Sequence, residues 1–385
     1  STVCAPSRCV LMTGKHAGHA YIRGNGEIKP NGQRPLLASE VTIAECFKQQ
    51  GYATSCIGKW GLGWVDSEGH PNEQGFDHFF GYLCQRRAHT YYPEYVWRNK
   101  EKVMLEGNDG NGGPHYTHDL CTEEAFGFIK ENKDNPFFLY LPYAIPHTKF
   151  QVPELGEYAD TDWASNHKIQ AAMISRMDRD VGRLFELLRE LGIEDNTMVI
   201  FTSDNGAHGI GGTLEKFKAS GELRGKKRDL YEGGVRVPMI IRWPGKVKAS
   251  VVNNDISSFW DWMPTFNDLI GGVNPESIDG HSILPTIFQR EGQEHADYLY
   301  WEFHEKGGKQ AILKDEWKAI RLNVSKNRNA PIELYNLKND PKEKENLAAS
   351  YPEKIQEMAT LMANSRVESE MFKFGKNRGT KKKKK

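Results

Sequence analysis

Cys4-Ala5-Pro6-Ser7-Arg8-Cys9-Val10-Leu11-Met12-Thr13-Gly14 is the stretch on which the reading of this 385-residue chain turns. Pro6 suits the first turn of a helix, where a missing N–H costs nothing. The apolar residues after Arg8 give such a helix a face to bury. Cys4 then stands at a helix N-terminus with a guanidinium one turn on, a setting that lowers a thiol's pKa and attracts anions. A small core cysteine beside a turn is the plainer reading of any single Cys, so the motif has to be weighed against its surroundings.

Lys plus Arg and Asp plus Glu stand at 51 each, a balance that points to neither nucleic acid nor a membrane surface as partner. The length suits one large domain or two unequal ones. No run is apolar for long enough to span a bilayer. The one charge run, Lys381 to Lys385, reads as a solvated tail. Six cysteines (4, 9, 46, 56, 84 and 121) fall in the first third with no Cys-x-x-Cys pair and no metal-ligand spacing, which leaves any disulfide pairing open. The chain opens on the Cys4 motif with neither an initiator Met nor a strand before it, and so reads as N-terminally truncated. The lack of a signal peptide then carries no information.

Downstream, strand-like runs repeatedly end in polar residues. Residues 52–57 form a short strand candidate that delivers Gly58-Lys59-Trp60-Gly61-Leu62-Gly63, and glycines let a lysine come close to an anion. Residues 136–143 read as a buried parallel strand leading to Ile145-Pro146-His147-Thr148. A His just past a central strand lies at the edge where open α/β sheets bind ligands. Residues 197–202 repeat the pattern and end in Ser203-Asp204-Asn205-Gly206, hard oxygen donors of the kind Ca2+ or Mg2+ takes, though also an ordinary turn.

Helical spacing marks residues 41–50, with Ser39-Glu40 as a cap, and also 119–132 and 169–191. His16, His19 and Arg23 on a Gly-rich loop read either as pocket lining or as a solvated connection. Residues 85–97 interleave Arg86, Arg87 and His89 with four aromatics, as a sugar-stacking loop or an exposed structural one would. From about residue 292, short strands at 298–303, 310–313 and 317–322 suggest an antiparallel sheet, followed by a helix over 352–366. Asn323-Val324-Ser325 is a glycosylation acceptor only in a eukaryotic secretory setting.

The Cys-Ala-Pro-Ser-Arg and Thr13-Gly14 motif, Gly58 to Gly63, Pro146-His147, Ser203 to Gly206, and Lys227-Arg228-Asp229-Leu230-Tyr231-Glu232-Gly233-Gly234 occur in the order found in sulfatases. From residue 1 to about 363 the chain resembles that family, which lies within the alkaline phosphatase superfamily. The resemblance implies an α/β fold: a mainly parallel central sheet between helices over residues 1–291, with its first strand missing. It also implies a small C-terminal antiparallel subdomain over 292–370 and a basic tail over 371–385.

The implied reaction is hydrolysis of sulfate esters on a sulfated carbohydrate. Its nucleophile is a formylglycine made from Cys4 by a formylglycine-generating or equivalent maturation enzyme. Ca2+, with Mg2+ as the alternative, is expected on Asp204 and Asn205. Arg8, Lys59, Lys227 and His147 would hold the anionic oxygens, with Lys226 the nearest rival for the place of Lys227. His147 is the first candidate for the acid and Lys227 the second, while His19 and Arg23 would contact substrate. Such an enzyme is expected in the periplasm or outside the cell.

Two departures stand against the pattern. The family's His in the lysine motif is Gly61, and the adjacent Asp-Asp pair that supplies two further metal ligands in sulfatases occurs nowhere in the chain. A phosphate-ester or phosphonate hydrolase of the same superfamily and an inactive sugar-binding fragment are the alternatives.

Overall fold

Helix α1 (Cys4–Thr13) starts without a side-chain cap at Val3 and ends where Gly14 turns left-handed and returns its N–H to the Val10 carbonyl. All of its residues except Leu11 are buried, so it is a core helix rather than a surface one. These features come from a computed structural model that describes residues 1–29 and 32–375; the Lys381–Lys385 run lies outside the described residues. Helix α2 (Ile43–Gln49) begins at Thr42, whose hydroxyl forms a capping box with Glu45. The cap falls beyond the expected Ser39-Glu40 because only Thr42 has a Glu three residues on.

The central sheet is built from β1 (Ala53–Lys59), β2 (His78–Tyr82), β3 (Tyr95–Arg98), β4 (Glu101–Met104) and β5 (Phe137–Tyr140), in the order β4-β3-β2-β1-β5. β1 is buried almost end to end and runs parallel to both neighbours, with Lys59 beside Tyr82 and Cys56 between Phe79 and Tyr140. The outer pairings are antiparallel. An α/β fold with a parallel centre was expected; the sheet is mixed because β3 and β4 form a hairpin. Asn99 supplies the positive φ that so tight a turn requires. Helices α3 (Thr117–Glu131) and α4 (Ser165–Glu190) follow β4 and β5.

The expected buried strand at 197–202 is found as β6 (Val199–Thr202), paired antiparallel, among the described residues, only with β7 (Met239–Arg242). It is half-open: Phe201 and the facing Ile240 are 37% and 61% exposed. Helix α5 (Trp262–Ile270) packs on α1 and α2. The C-terminal unit has the expected form. Strands β8 (Leu299–Phe303), β9 (Lys309–Lys314), β10 (Trp317–Leu322) and β11 (Ile332–Asn336) pair antiparallel in sequence order. Helix α6 (Pro352–Asn364) covers them through the buried Met358 and Met362. No described helix is long and apolar enough to cross a membrane, and all six cysteines are free and buried.

Candidate active site

The ends of β1, β5 and β6 converge on the first turn of α1. Lys227 Nζ donates to Cys4 Sγ at 3.4 Å and to His147 Nε2 at 3.3 Å, and Cys4 Sγ lies 3.7 Å from Asn205 Oδ1. Lys59 is 3% exposed, yet its ammonium has no hydrogen-bond partner among the described residues. Burial pushes its pKa down, as do Arg8 and Lys227, while Cys4 and Asp204 oppose this. Burial alone would raise the Asp204 carboxyl, but Arg8, Lys59 and Lys227 together hold it well below the usual carboxylate range.

His147 is tautomer-locked. Its Nδ1 lies 2.6 Å from the Thr148 carbonyl, an oxygen that can only accept, so Nδ1 carries the proton and Nε2 faces Lys227 as an acceptor. Burial, with Lys59 and Lys227 beside it, takes the ring down to about 2. His89 stacks on it at 4.4 Å, and His208 stands 6.1 Å away. Both are held at about 4, by burial first and then by neighbouring cations.

The segment carrying Lys227 is fixed on three sides. Lys227 N–H donates to Ala207 O at 2.8 Å. Arg228 N–H donates to Thr2 Oγ1, whose own hydroxyl donates to Asp229 O. From the C-terminal sheet, Lys309 Nζ reaches Asp229 Oδ1 and Arg228 O, both at 2.7 Å. The turn after β6 can lie against this segment because Gly206 has no side chain: a β-carbon there would stand 2.1 Å from the Gly233 carbonyl.

Of the residues singled out in the sequence, Cys4, Lys59, His147, Asp204, Asn205 and Lys227 come together. Arg8 joins them too. Its guanidinium binds Asp204 Oδ2 at 2.9 Å, Tyr140 Oη at 3.3 Å and the Lys59 carbonyl, so it ties three strand ends together, while its buried Nε has no partner among the described residues.

His19 and Arg23 are engaged elsewhere. His19 Nδ1 pairs with Asp279 at 2.8 Å, and Arg23, 2% exposed, pairs with Glu302 at 3.2 Å and the Val367 carbonyl. His16, His19 and Asp279 have metal-like spacing. However, the Gly18 N–H donates to His16 Nδ1, which leaves the His16 proton on Nε2, the atom that faces Asp279. The aromatics of 85–97 do not make a sugar platform. Tyr91, Tyr92 and Tyr95 are buried, and Tyr91 Oη bonds the Ala144 and His147 carbonyls. Sequence reasoning passed over His208 and Tyr140 as site residues and placed His89 and Tyr91 only in a sugar-stacking or structural loop; His208 had a signal, standing four residues after Asp204.

Asp204 and Asn205 are the right chemistry for a hard divalent cation, and Asp204 stays ionised to hold one. Among the described residues no group of three metal-capable His, Cys, Asp or Glu side chains includes Asp204. The pair therefore fits as two of the 6–8 oxygens that Ca2+ takes.

The family described as Sulfatase matches residues 1–273, and that described as N-sulphoglucosamine sulphohydrolase, C-terminal, matches residues 224–369. The chain is 30% identical over 330 residues to the uncharacterized sulfatase YdeN of Escherichia coli (strain K12), covering 78% of this chain and 55% of that protein. It is 31% identical over 319 residues to N-acetylgalactosamine-6-sulfatase of Homo sapiens, covering 77% and 59%. The chain thus spans less than two thirds of the length of these relatives. Among solved structures, Ps i-CgsB in complex with k-i-k-neocarrahexaose shares 28% identity at a TM-score of 0.78, covering 94% of this chain and 82% of that one.

Proposed function

This chain belongs to the sulfatase family, and from that premise we propose that it hydrolyses sulfate esters carried on a sulfated carbohydrate. The observation that carries the reading is the buried, unpaired Lys59 ammonium beside Cys4 and Lys227. A desolvated cation without a protein partner is an anion site. The carbohydrate assignment draws support from the relatives, one named for N-acetylgalactosamine-6-sulfate chemistry and one solved with k-i-k-neocarrahexaose. Export to the periplasm or beyond the cell fits that substrate class.

Family membership implies a metal and a formylglycine; we assign them to Asp204 with Asn205, as Ca2+, and to Cys4. Conversion of the Cys4 thiol to the aldehyde by a maturation enzyme, and its hydration, supplies an oxygen nucleophile, and the cation supplies positive charge beside it. Lys59 and Lys227 stabilise the negative charge that builds on the sulfate oxygens. Arg8 keeps Asp204 ionised and the strand ends in register.

This geometry supports Lys227 ahead of His147 as the acid. His147 is neutral with its single N–H committed to Thr148 O, so Lys227 is the group that can protonate the departing alkoxide. His147 Nε2 aims that ammonium.

The test is turnover by the full-length protein produced with a maturation enzyme. 4-Nitrophenyl sulfate should be hydrolysed, chelator should stop it, Ca2+ should restore it, and intact mass should show Cys4 converted to aldehyde. Faster turnover of 4-nitrophenyl phosphate than of the sulfate, or turnover by Cys4→Ala, would overturn the assignment.

A further inference from the structure

Gln85, three residues beyond β2, is 6% exposed, yet its Nε2 has no hydrogen-bond partner among the described residues. A buried amide donor left unpaired is costly, and a ligand oxygen within reach would satisfy it. Its place in the fold is set by Gly61. A β-carbon on Gly61 would stand 2.8 Å from Gln85 Cγ and 2.9 Å from Nε2, so the Gln85 amide fills the space a side chain at 61 would take.

That space lies at the catalytic edge. Trp60 N–H donates to Tyr82 O and Gly61 N–H to Leu83 O, so the β1–β2 pairing runs on past Lys59 and carries Gln85 to the same strand ends. Trp60 turns away, its indole N–H on Gly69 O at 2.7 Å. The backbone leaves the extended form at Gly61, where φ is +83°, so the Gln85 amide packs over the chain two residues beyond Lys59. The unpaired Gln85 amide therefore lies at the same strand end as the unpaired Lys59 ammonium.

We propose that Gln85 is a further substrate-contacting residue, its Nε2 donating a hydrogen bond to an oxygen of the sulfate group next to Lys59. The proposal rests on the sulfate-ester reading above and adds to it a donor whose contact does not depend on pH, because a carboxamide does not titrate.

Gln85→Leu keeps the volume over Gly61 and removes the donor; Gln85→Glu keeps the shape and puts a negatively charged acceptor in place of the neutral donor. Two measurements are needed: calorimetric titration of inorganic sulfate into the unmatured Cys4 protein, and turnover of 4-nitrophenyl sulfate per folded molecule by the matured one. Loss of a hydrogen bond to an anion should weaken sulfate binding and kcat/KM roughly tenfold to a hundredfold in Gln85→Leu at every pH. Gln85→Glu should lose more at neutral pH and recover in acid, where the protonated carboxyl can donate again. A packing role alone would not produce that recovery.

If the wild type turns over and Gln85→Leu matches it in both measurements, the proposal is overturned and the sulfatase reading stands. If the wild type hydrolyses no sulfate ester while sulfate binding still depends on Gln85, the sulfatase reading falls and the anion contact stands.

Discussion

Two of the most deeply buried lysines, Lys59 in the central sheet and Lys318 in the C-terminal sheet, separate the halves of the molecule. Lys59 at the end of β1 has no partner among the described residues. Lys318 in β10, 0% exposed, lies 2.6 Å from Glu232 and 3.1 Å from Glu343. Around the second lysine the C-terminal sheet closes on the segment that presents Lys227. Glu343 accepts from the Glu232 N–H at 2.7 Å, Tyr231 Oη donates to Glu333 at 2.6 Å, and Arg224 bonds Tyr335 Oη and the Glu343 carbonyl. A buried charge that is satisfied by protein builds structure, and one left unsatisfied waits for a ligand. The candidate site is therefore gathered at α1 and the ends of β1, β5 and β6, while the C-terminal sheet steadies the Lys227 segment through Lys309 on Asp229 and Lys318 on Glu232.

The largest effect should come from the group both halves converge on. Lys227→Ala in the matured enzyme should slow turnover of a sulfated sugar by roughly 10² to 10⁴-fold. Nitrophenyl sulfate, whose leaving group needs no proton, should lose much less. His147→Ala should lose about equally on the two substrates. A larger sugar-specific loss in His147→Ala than in Lys227→Ala would return the acid to His147 and break the assignment made from its tautomer.

The two buried lysines should respond in opposite ways. Lys318→Met leaves two carboxylates facing each other in the core and should cost about 3–5 kcal/mol of stability, measured by denaturant unfolding, with little loss of activity in the molecules that stay folded. Lys59→Met removes an unpaired buried charge. It should leave stability equal or higher while lowering kcat/KM by roughly 10² to 10³-fold, the usual cost of one oxyanion-type donor. Equal destabilisation by both variants would mean that Lys59 is structural.

Much of this arrangement was legible in the sequence, for a physical reason. Lys59 and His147 each follow an apolar run that becomes a strand of the parallel-centred sheet, and such residues meet at one edge; Asp204 and Asn205 follow a third apolar run, β6, whose end meets theirs at α1. What could not be read depends on partners far along the chain. His19 and Arg23 looked like pocket lining because their carboxylates, Asp279 and Glu302, lie 260 and 279 residues away. Nothing local announced Asp204 and Tyr140 as partners of Arg8. The edge hairpin of β3 and β4 was not read because the Asn99 turn sits between short, irregular strands. His89, Tyr91 and Gln85 are brought to the site by the course of the chain after β2, which no periodicity announces.

Histidine titration gives a smaller effect that also distinguishes the catalytic half. His147 is held at about 2, and His89, His208, His16 and His70 at about 4, each chiefly by burial. Their folded values lie below the ordinary 6.5, so between about pH 6.5 and 4 the unfolded chain binds more protons than the folded one. Stability is therefore complete above that window and falls as pH drops through it. Asp261, raised to about 6 by burial, opposes this by taking up a proton in the fold, but it is one group against five. The thermal midpoint should drop by at least about 3 °C between pH 7 and 5. Added sulfate should reduce the drop, since an anion beside Lys59 offsets the cations that depress His147 and His89. A midpoint that is flat with pH would show that these rings are hydrated and charged in the fold.

The smallest effect isolates positioning from chemistry within the catalytic half. Tyr91 is fully buried, and its Oη stands 2.9 Å from Ala144 O and 2.8 Å from His147 O, pinning the loop after β5 from beneath. Tyr91→Phe keeps the ring and removes only that hydroxyl, so the stability loss should be about 1 kcal/mol, the net worth of a buried neutral hydrogen bond. The His147 ring stays tied to Thr148 O and stacked on His89, so its tautomer persists and only its placement loosens. Turnover should fall a few-fold with KM nearly unchanged, and by the same factor on sugar and nitrophenyl sulfates, because aiming Lys227 matters to both the charge and the proton. If Tyr91→Phe instead reproduced the sugar-selective loss of Lys227→Ala, the proton route would run through the loop that carries His147, and the division between an ammonium that reacts and an imidazole that aims it would fail.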